Sequence, residues 1–417
     1  MASSSSNPFV IRIQPGPSSA VVPAWVPPPG YFADVPMQNF PQDVVPAIYA
    51  DYAGNMNNPF IIWGGSAVLR DYSALGAQVY YSGGHEAAVG LNNVQFTLIC
   101  DFSSLSWSVA NLPLKANPQN TFVNGYAPDG TPYTPHTYLG LQEFPAAWGG
   151  AARGTLASFF FAGSGWDNRI NLMDVSQPQM GYRVMATRQP ENADPTQIRL
   201  TRNGGGGNYP ITVMDEKRKG WWVSTTGSVD YTLFVSSSGE ITQYPALGGN
   251  LQNGSMVLWP GKDLLIVIDG GYEFGPYASK SYRKLYIRNL TTGKVTTTTT
   301  LGTVPCLTDG YDGGGKTFHR PDVMGLQWVE ELGCIVGMDQ TVDPPAIVKL
   351  VPPLDPENGQ WTWATITSLQ HWPSDTGGQA SLQFVTNGLW SKFRWVPSLK
   401  AFVYGTAKDR RPQVIKL

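Results

Sequence analysis

Five polar residues stand at or just before the start of an apolar, strand-like run: His136, His319, Arg320, Asp322 and Lys392. If each run is the innermost strand of a small sheet set around an axis, these side chains face an axial channel or its entrance. A polar cluster there could bind a sugar or an acid, and a His–Asp pair could move a proton. The blander expectation is a hydrated channel lined by paired charges.

Other stretches look chemical and lose that look on inspection. GYDGGGKT (310–317) fits Gly-x4-Gly-Lys-Thr. A phosphate cradle of that kind needs a helix directly after the lysine. Here FHRPDVMG follows, and Pro321 with the strand-like run behind it forbids the helix. The expectation is a flexible glycine loop. Asp309 and Asp312 in the same loop offer oxygens, but calcium takes roughly six to eight, so a solvated acidic turn is expected and no metal is assigned. The four histidines (His85, His136, His319, His371) are scattered. No Gly-x-Ser-x-Gly elbow, paired-cysteine zinc pattern or metalloprotease helix is present. No catalytic residue and no cofactor are assigned.

Aromatic residues in turn-rich segments are a second class of candidate. Tyr126, Tyr133, Tyr272, Phe274, Tyr277 and Trp372 fall among Asn, Asp, Pro and Gly, as do Trp25, Tyr31, Phe32 and Trp390. Aromatic faces in such settings suit sugar stacking or protein interfaces. They suit equally well a fold-back over the ends of the molecule.

The elements that would position these residues repeat along the chain. AQVYYSGGH (77–85), ASFFFAGSG (157–165), LLIVIDGG (264–271), CIVGMDQ (334–340) and AFVYGTA (401–407) are apolar runs that end in a turn or polar break. Each follows a shorter strand-like segment and a turn: HTYLGLQEFP, for example, or VMGLQWVEELG, or FRWVPSLK. One four-strand unit cannot bury both of its faces alone, and units set around an axis bury each other. The spacing predicts six units, at about 63–112, 135–187, 209–247, 254–301, 321–369 and 391–417. The sixth is one strand short. PFVIRIQP (8–15) is expected to supply that strand, closing the ring and removing exposed edges. Residues 1–62 then form the closing strand and a Pro-rich connection, and 63–417 one all-β, six-bladed β-propeller of four-stranded antiparallel blades. The insertions 113–134 and 302–320 are long loops, where function tends to sit.

The pattern resembles the kelch and galactose-oxidase type of β-propeller. The residues that carry the likeness are Gly83–Gly84 after the second strand of unit one and Trp107 in its fourth strand, behind the DFSSLSW turn. DPENGQWTW (355–363) repeats turn and aromatic; RNLTTGKV (288–295) keeps the turn only, and Gly270–Gly271 keeps the paired glycine. The resemblance implies close backbone packing at the glycines and an aromatic filling the space between neighbouring blades. The copper-radical oxidases of that type use two His, two Tyr and a cysteine cross-linked to one tyrosine, and none of those positions carries over here.

Composition narrows the class further. The 417 residues include 46 Gly, 34 Pro, 14 Trp and 19 Tyr, and only 14% are charged. That is a turn-rich β composition. A formal net charge of −2 gives no bulk attraction to nucleic acid or anionic lipid. No apolar run is long enough for a bilayer-spanning helix, and no secretory signal is expected at the N-terminus. Cys100 and Cys334 sit in apolar runs and are expected as small core residues, and with Cys306 they make no disulfide framework. A surface rich in Asn, Ser, Thr, Gly and aromatics without an export signal suits a virion component, made in the cytoplasm and released by lysis. The function expected is therefore non-catalytic: a bacteriophage virion or tail protein whose loops contact other subunits or a cell-surface glycan. The alternatives are a carbohydrate-active enzyme using the axial pocket and a cytoplasmic kelch-like adaptor.

Overall fold

The computed structural model describes residues 21–44, 64–81, 97–111, 137, 139–159, 169–176, 182–188, 211–224, 231–245, 247, 254–270, 283–302, 304, 321–366, 368–372, 381–383 and 388–417. The described chain is all-β, with only short 3-10 turns between strands. Strand β1 is Tyr31–Asp34. The first sheet follows as β2 (Gly65–Leu69), β3 (Ala77–Tyr81), β4 (Thr97–Asp101) and β5 (Ser106–Asn111). The second holds β6 (Leu141–Phe144), β7 (Thr155–Ser158), β8 (Arg169–Asp174) and β9 (Tyr182–Ala186); the third, β10 (Ile211–Asp215), β11 (Gly220–Ser224), β12 (Tyr231–Ser236) and β13 (Ile241–Pro245). The fourth holds β14 (Ser255–Trp259), β15 (Leu264–Ile268), β16 (Lys284–Asn289) and β17 (Val295–Leu301); the fifth, β18 (Gln327–Val329), β19 (Cys334–Asp339), β20 (Ala346–Val351) and β21 (Trp361–Ile366). After β22 (Gln370–His371), the sixth begins with β23 (Arg394–Val396), β24 (Ala401–Tyr404) and β25 (Gln413–Lys416).

Within each sheet, consecutive strands pair antiparallel. A short parallel pairing of Thr300 and Leu301 with Trp361 and Thr362 joins the fourth sheet to the fifth at their outer strands. The sixth sheet is completed from the other end of the chain: β1 pairs antiparallel with β25, Ala33 opposite Val414. The expected closing strand at 8–15 lies outside the described residues, and the edge of β25 expected to receive it is occupied by Tyr31–Asp34. Pro residues flank rather than interrupt that strand, because proline cannot donate to a ladder.

The second strands show why the runs are apolar without a gap. In β15, Leu264, Ile266 and Ile268 enter a core shared with the fifth sheet, while Leu265 and Val267 enter one shared with the third. In β24, Ala401 and Val403 face the first sheet and Phe402 and Tyr404 the fifth. A strand covered on both faces needs apolar residues at every position, not alternate ones. Each sheet is treated this way, so the cores lie between sheets one and two, two and three, three and four, four and five, five and six, and six and one. The first strands keep the same order, β2 beside β6, β6 beside β10, β10 beside β14, β14 beside β18, β18 beside β23 and β23 beside β2. The arrangement is propeller-like.

The fourth-strand aromatics do what the resemblance implies. Trp107 of β5 is buried among residues of the first and sixth sheets, and Trp361 of β21 among those of the fourth and fifth. Cys100 and Cys334 are buried core residues.

Candidate axial site

The first strands surround a cavity of about 380 Å³. Residues of β6, β10, β14, β18 and β23, or directly beside them, line it. Its walls mix apolar side chains, among them Val213, Met256, Leu258 and Trp395, with the polar groups Gln142, Thr212, Gln327 and Arg394. Glu216, Glu330 and Glu331 stand where β10 and β18 end.

Most of the polar groups are engaged in joining one sheet to the next. Gln142 Nε2 donates to Thr212 O at 2.8 Å and to Thr212 Oγ1 at 3.0 Å, and that hydroxyl donates to Leu139 O. Gln327 Nε2 donates to Phe393 O at 2.7 Å while its Oε1 accepts from Trp395 N at 2.8 Å. Arg394 reaches from the sixth sheet across two others: Nε and Nη2 donate to Ser66 O at 3.2 and 2.9 Å, and Nη2 to Leu141 O at 3.2 Å. Between the sixth and first sheets, Ser66 exchanges two hydrogen bonds with Ser391, and Gln78 Nε2 donates to Ser66 Oγ and Lys392 O. Side chains bonding to backbone oxygens satisfy the inward-facing polar groups that a first strand leaves open at the axis.

One end of the axis is held by charge. The Arg70 backbone N and Nε donate to the two oxygens of Glu143 at 2.6 Å each, and Nη1 pairs with Glu216. The first three sheets are thus joined by one guanidinium. Burial pushes the Glu143 carboxyl up from its ordinary range while the adjacent Arg70 pulls it back. Farther from the axis, Arg218 pairs with Asp215 and Asp263, and Lys217 with Asp263. The Arg218 bonds hold the Asp263 carboxyl well below the usual range.

Of the residues singled out by sequence, Lys392 lies two residues before β23, fully buried, its Nζ donating to Gly64 O at 3.0 Å. Burial brings its ammonium down to about 7. Asp322 is buried in the turn Pro321–Met324 that leads to β18. Neither lines the cavity. His136, His319 and Arg320 lie outside the described residues, as do Asp309, Asp312, Tyr126, Tyr133, Tyr272, Phe274 and Tyr277.

The aromatics expected in loops fold back wherever they are described. Phe32 lies in β1 and is buried, and Trp390 is fully buried in the core between the fourth and fifth sheets. Trp372 packs against Tyr31 edge-on at 5.5 Å, and its backbone N donates to Phe32 O at 2.7 Å. The turn-like spelling around these residues hid short strands and a buried plug.

Gln142, Gln327 and Arg394 were not singled out by sequence. A signal existed: in GLQEF (140–144), GLQWV (325–329) and KFRWV (392–396) one polar residue recurs at the same place in a short apolar run.

No protein-family model and no curated protein matches the sequence. Among solved structures, one titled as a nidogen/laminin complex aligns with a TM-score of 0.36 at 9% identity, covering 73% of this chain and 84% of that one. An engineered GH43 glycoside hydrolase, described as having endo-xylanase and exo-arabinofuranosidase activity, aligns with a TM-score of 0.35 at 13% identity over 80% of this chain. A structural genomics protein from Bacteroides thetaiotaomicron gives 0.31 at 11% identity over 66% of this chain. The chain spans 56% of the length of each of the latter two. At such scores none of them speaks to activity, ligand or partner.

Proposed function

We propose that this chain is a six-bladed β-propeller of the kelch-like type, closed by its N-terminal segment, that works as a non-catalytic binding scaffold. The observation that carries the reading is the use made of polar groups at the axis. Gln142, Thr212, Gln327, Arg70, Glu143 and Glu216 are all engaged in bonds between sheets. An acid–base pair needs at least one carboxyl free to exchange a proton with substrate, and Glu143 and Glu216 are both held by Arg70. Glu330 accepts from Trp328 Nε1 at 2.6 Å, and Glu331, beside it at the end of β18, is exposed at the cavity rim rather than paired with a second carboxyl. A ring fastened in this way is a stiff frame for the long inter-blade loops, and those loops make the contacts.

The partner class is a neighbouring subunit of a virion or tail, or a surface glycan. Few charges are available, so affinity comes from aromatic and backbone contacts and depends weakly on salt. Purified phage particles analysed by mass spectrometry, together with glycan-array binding at low and high salt, test this. Absence from every particle combined with no glycan bound, or hydrolysis of a glycan panel that is lost on Glu330→Gln and Glu331→Gln, refutes it.

A further inference from the structure

Arg394 stands on the wall of the axial cavity with its charge unanswered. Its Nε and Nη2 are used on Ser66 O and Leu141 O, whereas Nη1 donates to no described residue. Among the described residues no carboxylate pairs with it, unlike Arg70 and Arg218. Among the described residues Lys392, two residues earlier, likewise meets only a carbonyl oxygen. Burial alone brings the Arg394 guanidinium down to about 10, with no acid opposing that effect. Carbonyl dipoles answer a desolvated cation only in part, and an anion would complete it.

The rest of the cavity says what kind of anion. Met256, Leu258, Val213 and Trp395 offer apolar surface. Glu216, Glu330 and Glu331 at the strand ends disfavour a compact, multiply charged ion such as inorganic phosphate. The volume of about 380 Å³ falls within the roughly 300–1,000 Å³ of small-molecule sites.

We propose that the axial cavity binds a small organic monocarboxylate, its carboxylate on Nη1 of Arg394 and its apolar body against Met256, Leu258 and Trp395. The site does not depend on the loop contacts proposed above, so either can fail without the other. Isothermal titration of the full chain with benzoate, with neutral benzamide and with inorganic phosphate tests it. Benzoate should bind at a single site, and benzamide and phosphate about tenfold more weakly or worse, since the charge-assisted bond supplies the difference. Arg394→Gln should weaken benzoate by a similar factor with an unchanged far-ultraviolet circular dichroism spectrum. Arg394 also joins sheets, so Val213→Trp, which fills the cavity without touching that bond, provides a second variant expected to abolish benzoate binding. No benzoate binding to the wild type, benzamide or phosphate binding as tightly as benzoate, wild-type benzoate affinity in folded Arg394→Gln, or benzoate binding retained in folded Val213→Trp would overturn the proposal.

Discussion

Replacing Lys392 by methionine should make the protein more stable in neutral and acidic solution and slightly less stable in alkali. The ammonium is fully buried, its hydrogen bond goes to the neutral Gly64 O, and no carboxylate pairs with it among the described residues. Burial lowers it from the ordinary 10.5 to about 7. Between those two values the unfolded chain carries a proton that the folded chain does not. Stability therefore rises with pH across the window from 7 to 10.5 and is flat below it. At about 1.36 kcal/mol per pH unit the rise amounts to about 5 kcal/mol. With an unfolding entropy of about 2.1 cal/mol/K per residue over the whole chain, that is on the order of 5 °C in Tm. Methionine fills nearly the same volume and removes the titration, while the lost bond to Gly64 O costs about 1 kcal/mol. Subtracting the variant's Tm from that of the wild type at each pH from 6 to 10.5 cancels the other titrating groups, including the buried Cys100 and Tyr404. The difference should be negative at pH 6, change sign within the window, and end positive. Parallel profiles would show that Lys392 is hydrated or ion-paired and would refute the reasoning.

Further outcomes follow from the same contacts. Arg70→Ala leaves the buried Glu143 carboxylate without its cation; Arg70 is more than a third exposed, so the loss is about 1–3 kcal/mol rather than the full value of a buried pair, measured by urea denaturation. Trp221→Ala should cost about 3–5 kcal/mol, since Trp221 is fully buried against Phe144, Trp148 and Phe159; Trp221→Phe should recover more than half. Ala33→Cys with Val414→Cys should form an intramolecular disulfide under mild oxidation, because the two are register partners across β1 and β25 and paired strands bring Cα atoms to about 4.5–5.5 Å. A mass shift of two hydrogens with no dimer on a non-reducing gel confirms the closure; both introduced thiols remaining free in the folded protein refute it.

The sheets were legible because their physics repeats. Second strands are covered on both faces and are spelled mostly in apolar residues without alternation, as LLIVI and AFVY are. The closing strand was harder. YFAD is four residues long, lies behind a proline run and has no alternation to distinguish it, whereas PFVIRIQP reads as a better strand by local spelling. What selects Tyr31–Asp34 is tertiary: Phe32 and Ala33 supply opposite faces to two different inter-sheet cores, which propensity does not register. Phe32, expected in a loop, lies in this strand for the same reason, and Trp390 stays in a turn yet is buried in an inter-sheet core.

The residues lining the axial cavity are not those that residue type alone singles out. Lys392 and Asp322 precede first strands, but both are buried and neither lines the cavity. The groups that do reach the axis are inside first strands, where a glutamine or arginine among apolar neighbours looks like an interruption. A first strand has one edge without a strand partner, and at a crowded axis water replaces that partner poorly. A long amide or guanidinium side chain spans the gap to the next sheet and donates to its carbonyl oxygens, as Gln142, Gln327 and Arg394 do. Glutamine does this without charge. At Arg394 the same geometrical task is done by a cation, and no described acid neutralises it. That charge stands on the cavity wall with no carboxylate partner among the described residues, and this is what points to a ligand.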